Sequence, residues 1–247
     1  MDEALAVQFA GLTKRFPGSV ALDGVTLTVQ AGSCHGLVGE NGAGKSTLGK
    51  VLAGIYQPDG GEMTVFSRRG SFRSPAEALD AGIAIVHQEL SFCENMTVGE
   101  NLLLGRLPCR GAFLSRRQLW AEARKLLVDI APELDVTRRL GELPVSQQQL
   151  VQIAAAIGRG ARLIIFDEPT SSLSEREAQR LHALVRELLG RGVTCVYVSH
   201  RLPEIFSLCD TISVLRDGKL VHSGPRSELD EDRVISLMIG RQLTEYF

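Results

Sequence analysis

Apolar and polar positions along this chain change period several times, and each change marks an element. LAVQF (5–9) and VTLTVQ (25–30) alternate with period two, the pattern of strands that keep one face in water. Four later runs are apolar throughout: GLVG (36–39), IAIVHQ (83–88), LIIFDE (163–168) and CVYVSH (195–200). Such runs predict parallel strands buried on both faces. Each ends on a glycine or a polar residue. Open α/β sheets bind their ligands at the carboxyl ends of strands, so chemistry is expected at these ends.

Between 89 and 160 the strand pattern gives way to a helical one. SRRQLWAEARKLLVDIA (115–131) carries Leu119, Leu126, Leu127 and Ile130 on a helical period that stops at Pro132, and Ser115 with Gln118 reads as a capping box. After His200, TISVLRDGKLVHSG shows two alternating runs joined by Asp217-Gly218, a hairpin signal. No repeat or low-complexity tract interrupts the chain. The pattern predicts one α/β domain over 1–247, with its core from 1–88 and 161–247 and a helical insertion over 89–160.

Composition narrows the class. The chain has 247 residues, 44% hydrophobic and 23% charged, enough to bury a real core. A net charge of -2 and a pI of about 6.2 lack the basic footprint of a general nucleic-acid binder. Residues 1–11 have neither a basic region nor a long apolar one, so they do not read as a signal peptide. No apolar run approaches the roughly 18 residues that span a bilayer. Five cysteines form no close CxxC pair and read as reduced thiols filling a cytosolic core.

Chemistry enters at the strand ends. Gly39, Glu40, Asn41, Gly42, Ala43, Gly44, Lys45 and Ser46 fit GxxxxGK[ST], directly after a strand and before LGKVLAG, a helical stretch. Glycines let backbone N–H groups curl around a β-phosphate, and the helix N-terminus adds partial positive charge. Lys45 is placed to reach the β- and γ-phosphates, and the Ser46 hydroxyl to hold Mg²⁺. In LIIFDEP, Asp167 sits at a strand end where it can fix magnesium, with Glu168 beside it to orient the attacking water. His200 closes YVSH and points to the same crevice for a γ-phosphate contact; Gln88 closes IAIVHQ and could ligate Mg²⁺ or water. Phe16, in KRFPGSVAL, is a candidate to stack on adenine, although an aromatic there is more often simply packed. Ser174 and Glu177 form a capping box ahead of Leu181, Leu184 and Leu188, and the cap accounts for Ser174.

The glycine-rich loop, strand-end Gln88, FDEP before a serine-rich turn, and YVSH, in that order, resemble the nucleotide-binding domain of ABC transporters. The resemblance covers almost the whole chain. VGENGAGKSTL, SPAEALDAGIAIVHQEL, NMTVGENLLLGR, DEPTSSLSERE and LMIGR are most similar to the first ATPase half of bacterial monosaccharide importers of the ribose, galactose and xylose type. It implies a P-loop NTPase fold: a RecA-like, mostly parallel core sheet, an N-terminal antiparallel β subdomain and an inserted helical subdomain. It implies ATP and Mg²⁺ as ligands, with Phe16 as the adenine-stacking aromatic and Gly39 through Thr47 as the phosphate loop. Gln88 matches the Q-loop, Asp167 the metal-associated aspartate, Glu168 the catalytic carboxylate and His200 the switch histidine. Residues 89–98 match the surface that receives a coupling helix. Implied partners are a second ATPase half, membrane permease subunits and, indirectly, a periplasmic sugar-binding protein, with no nucleic acid. The implied location is peripheral, on the cytoplasmic face of the bacterial inner membrane.

Two departures stand out. Ser174 replaces the aspartate usual in the family's D-loop. Pro144, Val145, Ser146 and Gln147 fall where the family carries LSGGQ, which binds the γ-phosphate held by the opposite subunit. The stretch also reads as an ordinary helix start, with Ser146 and Gln149 as a capping box and Leu150, Ile153, Ala154 and Ile157 as the apolar face. Three alternatives to the transport motor remain: a soluble non-transport ABC ATPase, an ATP-dependent dimerisation module with weak hydrolysis, and a small-molecule P-loop kinase. The kinase leaves Glu168 and His200 unexplained.

Overall fold

The computed structural model describes residues 5–86, 93–110, 113–128, 130–171 and 173–240. In chain order it opens with β1 (Leu5–Phe16), β2 (Ser19–Gln30), β3 (Cys34–Val38), α1 (Lys45–Leu52), β4 (Gly60–Val65) and β5 (Arg68–Arg69). Next come α2 (Pro75–Asp80), β6 (Ile83–Val86), α3 (Val98–Leu102), β7 (Cys109–Arg110), β8 (Phe113–Leu114), α4 (Arg116–Leu127) and α5 (Val145–Gly158). The chain continues with β9 (Leu163–Asp167), α6 (Glu175–Gly190), β10 (Thr194–Val198), α7 (Leu202–Leu208), β11 (Thr211–Arg216), β12 (Lys219–Pro225) and α8 (Glu231–Ile239).

The main sheet runs β12-β11-β3-β10-β9-β6, parallel except for the hairpin strand β12. A second sheet, antiparallel, runs β2-β1-β4-β5. The continuous apolar runs are explained by what lies on each side. In β9, Leu163 and Ile165 face one core with α1 and the antiparallel sheet, among Leu48, Val51, Phe9 and Met63. Ile164 and Phe166 face the opposite core, with Leu181, Val185 and Leu188 of α6 and Ile205 of α7. β10 alternates likewise, Val196 and Val198 to one side, Cys195 and Tyr197 to the other. Each such side chain contributes about 1.5–3 kcal/mol by leaving water, so neither strand can slip by one residue without reversing both cores. A third cluster, formed by α3, α4 and α5 around Leu102, Leu119, Ala123 and Val151, adjoins the second through Ile130 and Leu150, which pack against both.

The Asp217-Gly218 hairpin forms as expected, with positive φ at both residues (51° and 76°), the backbone a tight right-twisted turn requires. Other expectations change. β1 and β2 run longer than LAVQF and VTLTVQ, because register shifts break their alternation without ending the pairing. The region between 89 and 160 is not purely helical, since β7 and β8 make a small hairpin there. α4 ends at Leu127 rather than at 131, and Ser115 makes no side-chain cap; Gln118 instead donates from Nε2 to Glu122 Oε1 at 3.0 Å. Of the five thiols, all free, Cys34, Cys195 and Cys209 are buried as expected, but Cys93 and Cys109 are exposed. Among the described residues no helix is long and apolar enough to cross a membrane.

One buried polar group tests this packing. His35 of β3 is 1% exposed, and its Nε2 lies 2.8 Å from Ser213 Oγ, whose hydroxyl in turn donates to Ser223 Oγ at 2.8 Å. Burial pushes the imidazole pKa down from 6.5 to about 4. The unfolded chain therefore takes up this proton first, so stability is complete above the unfolded value and falls as pH drops from there towards the folded one. Integrated to pH 5, that single site costs about 2 kcal/mol. Denaturant titrations at pH 7 and pH 5 should show a loss of that order, and a His35→Leu variant should show a loss smaller by the same amount.

Candidate nucleotide site

The site is built where β3, β9 and β10 end side by side. β3 delivers the chain to Gly39, and two glycines of the following loop are fixed by contact. A side chain on Gly39 (φ 156°) would put Cβ 2.3 Å from the Leu215 carbonyl oxygen; one on Gly44 (φ 103°) would come within 2.4 Å of that of Ala21. The loop is thus pressed between β11 and β2. α1 starts immediately at Lys45 with Gly44 as its cap, leaving first-turn N–H groups without intrahelical partners. Such a terminus attracts anions.

Lys45 is 5% exposed, and its ammonium donates to the carbonyls of Gly39 (2.8 Å) and Glu40 (3.0 Å). Burial lowers its pKa, opposed by the carboxylates of Glu168 and Asp167, which favour the charged form. Asp167 is buried, and its Oδ1 accepts from Ser46 Oγ at 2.8 Å. That contact joins the first turn of α1 to the end of β9, against which the helix packs. Hydroxyl and carboxylate oxygens suit a hard cation such as Mg²⁺, which takes few protein ligands when phosphates supply the rest. Among the described residues there is no cluster of three or more His, Cys, Asp or Glu that could hold a metal unaided.

Glu168 follows with φ 48°, a left-handed conformation unusual for a residue with a side chain, and its N–H donates to Val198 O at 2.9 Å. Such backbone costs on the order of 1–3 kcal/mol and gathers at functional sites. Here it carries the carboxylate towards the end of β10, where Glu168 Oε2 lies 3.4 Å from His200 Nδ1. The side chains are 19% and 52% exposed, so the pair is open to a ligand from the His200 side.

The structure thus brings together Lys45, Ser46, Asp167, Glu168 and His200. Gln88 and the segment 89–92 lie outside the described residues. Phe16 ends β1 at the turn into β2, the strand whose Ala21 abuts Gly44. Its ring packs edge-on against Tyr56 (5.2 Å, 74°) with Lys14 Nζ 5.4 Å from its centroid. Tyr56 was not legible as a neighbour, since 40 residues separate it from Phe16.

At 144–147 the outcome differs from the expected cap. Pro144 itself caps α5 (φ -55°), accepting Gln148 N–H at its carbonyl (3.1 Å). The Ser146–Gln149 box does not form. Gln149 turns inward, 2% exposed, and donates from Nε2 to Pro169 O at 2.9 Å. The Ser146 hydroxyl goes instead to Glu177. The Ser174–Glu177 box does form, with Glu177 Oε2 accepting from Ser174 N (2.9 Å) and Oγ (2.7 Å). The hydroxyls of Ser146 and then Ser174 hold the Glu177 carboxyl down at about 2.

A buried lysine and a hydroxyl at a glycine-loop helix start, facing an acidic strand end, define a P-loop nucleotide site, and the chain belongs to the ABC transporter family: residues 22–171 match that family's model. It is 45% identical over 243 residues to the arabinose import ATP-binding protein AraG of Pseudomonas syringae pv. tomato, covering 98% of this chain and 48% of that protein. It is 43% identical over 241 residues to the galactose/methyl galactoside import ATP-binding protein MglA of Salmonella typhimurium, again 98% and 48%. The chain therefore spans about half the length of the curated relatives it matches. In structure it resembles the ADP conformation of MJ1267, an ATP-binding cassette of an ABC transporter, at a TM-score of 0.81 and 27% identity over 98% of this chain and 97% of that one. A nucleotide-free cassette from an ABC transporter matches equally well, TM-score 0.81 at 26% identity and 98% coverage of both chains.

The loop contacts predict a clear mutational outcome. Gly44→Ala combines a close backbone contact with strained φ and should lower stability by about 1–3 kcal/mol, seen as a lower thermal midpoint. Gly42→Ala, also at positive φ (84°) but with nothing within 4 Å, should cost less.

Proposed function

We propose that this chain is the ATP-binding and ATP-hydrolysing cassette of a bacterial importer of a sugar, a monosaccharide, working through a membrane permease. The observation that carries the reading is the convergence, at one edge of the parallel sheet, of Lys45, the Ser46–Asp167 contact and the Glu168–His200 pair. The sugar-import relatives direct it to transport.

In this reading the loop from Gly39 to Thr47 receives the phosphates on backbone N–H groups and the α1 terminus, and Lys45 turns from the loop carbonyls to the β- and γ-phosphates. Ser46 and Asp167, with Gln88, hold Mg²⁺, which neutralises charge on the transferring phosphoryl group when bound. Glu168 accepts a proton from the attacking water, and His200 contacts the γ-phosphate while fixing the Glu168 carboxylate. Phe16 stacks on the adenine. Residues 89–160 act as one helical subdomain of a single domain, with 89–98 receiving the permease. A second ATPase half completes the unit, a periplasmic sugar-binding protein supplies the substrate to the permease, and the assembly sits on the cytoplasmic face of the inner membrane. Nucleic acid has no part in it.

Two variants separate binding from turnover. Lys45→Ala should weaken MgATP binding in calorimetry by about 1.5–3 kcal/mol, the value of a charge-assisted hydrogen bond. Glu168→Gln should bind MgATP as tightly as the parent yet lose about 10²–10⁴-fold in phosphate release. Full activity in Glu168→Gln would remove Glu168 from the chemistry, and unchanged affinity in Lys45→Ala would remove the site.

A specific observation favours asymmetry between the two ATP sites. In the family each nucleotide is closed in by the partner's signature, and here Pro144 has neither hydroxyl nor N–H to offer. Ser146, the next hydroxyl, is already engaged by Glu177. The signature of this chain then serves a slow or silent site, while its own phosphate loop works against a partner half with an intact signature. Pro144→Ser should raise turnover of the isolated chain by about 10-fold or more, the worth of one hydrogen bond to a charged oxygen. Rapid turnover of the parent, unaltered by Pro144→Ser, contradicts the asymmetry.

A further inference from the structure

Behind the Glu168–His200 pair lies a buried carboxylate that these roles do not use. Glu204 of α7 is 7% exposed. Its nearest cation, Arg201 Nη1, stands 3.6 Å from Oε1, beyond good hydrogen-bonding distance. Hydroxyl groups satisfy it instead. Thr170 Oγ1 lies 2.8 and 2.9 Å from its two oxygens, and Oε2 also accepts from Tyr197 Oη at 3.1 Å and Ser199 Oγ at 3.3 Å. A buried charge persists only where such partners are assembled around it.

The positions of those partners matter more than their number. Thr170 stands two residues after Glu168, in the turn that leaves β9. Ser199 immediately precedes His200, and its oxygen also accepts the Arg201 N–H at 3.0 Å, fixing the turn that leaves β10. The 3.4 Å Glu168–His200 contact closes a ring: Glu168, Pro169, Thr170, Glu204, Ser199, His200 and back. Within that ring Glu204 supplies the bonds on the side away from the Glu168–His200 contact. The third hydroxyl, that of Tyr197, lies within β10 rather than in either turn, its Oη 3.4 Å from His182 Nε2.

We propose that Glu204 is a positioning residue for ATP hydrolysis, tying the turns after β9 and β10 together so that Glu168 and His200 stay within reach of each other. It acts through Thr170 and Ser199. The inference rests on the ATPase reading of the same site. An amide at this position keeps the volume but gives up the negative charge and one of the two acceptor oxygens, so the charge-assisted bonds that tether the Thr170 and Ser199 turns are weakened and one hydroxyl must turn round to accept.

The test compares Glu204→Gln, Tyr197→Phe and His200→Ala in the full chain. Glu204→Gln should lower kcat by about 10- to 100-fold while KM for MgATP stays within about twofold, because geometry rather than binding is lost. In a His200→Ala background the same substitution should cost less than about threefold, since the pair it positions is already broken. Tyr197→Phe removes a bond to the same carboxylate that comes from within β10 and ties neither turn, and should lower the thermal midpoint with kcat unchanged. Equal losses from Glu204→Gln in both backgrounds, or parallel losses of kcat in Tyr197→Phe, overturn the proposal in favour of a structural role. Absence of Lys45-dependent turnover in the parent, with a partner ATPase half present as well as without, is failure of the ATPase reading itself. In that event the ring ¹⁵N shifts of His200 decide: a shift on Glu204→Gln that Tyr197→Phe does not produce supports the tether, and unchanged shifts overturn it.

Discussion

The placement of β9 and β10 between two apolar layers governs the rest of the molecule. Neither strand has a wet face, so each residue is committed to one core or the other, and the register of β9 against β10 is locked from both sides. Val198 pairs with Asp167 in that register, and the two chains leave the sheet together. Parallel strands share no hairpin turn that could fix their ends; these are set by packing on both faces and by the ladder, which the Glu168 N–H continues onto the Val198 carbonyl. An acidic residue, a histidine and, one strand further, a glycine loop are therefore delivered to the same edge by hydrophobic burial that has no chemistry of its own.

Polar groups then refine what packing has placed. Lys45 and Asp167 are both buried, and each is satisfied within the site, the ammonium by loop carbonyls and the carboxylate by the Ser46 hydroxyl. These bonds are of the kind a phosphate or a metal can exchange for its own. Glu168 differs, since its strain lies in the backbone, and the Val198 carbonyl holds the kinked residue in place.

Much of this was legible in the sequence, for identifiable reasons. The phosphate loop combines glycines, lysine and hydroxyl at a spacing few other structures need, and the buried strands show as unbroken apolar runs. What escaped depends on contacts between distant segments. Glu204 reads as one more acid on an amphipathic helix until Thr170, Tyr197 and Ser199 are seen around it. Gln149 and Ser146 satisfy the spacing of a capping box, and fail to form one because each has another partner from a distant segment: Pro169 O in the interior for the amide and Glu177 at the surface for the hydroxyl. The long β1–β2 pairing was hidden by bulges that interrupt its alternation.

Glu177 and Gln149 have a mechanical meaning beyond their hydrogen bonds. Both join α5, the helix carrying Pro144, to the stretch that leaves β9: Gln149 at the residue after Glu168, Glu177 at the first turn of α6. The Glu177 carboxyl stays ionised down to about pH 2, so acidification within any living range cannot loosen its end of the link. The two fastenings hold α5 at Pro169, just after β9, and at the first turn of α6. Helix α5 is thereby anchored one residue from Glu168, so the placing of the helical layer and that of the strained carboxylate are set together, without a contact through the main sheet.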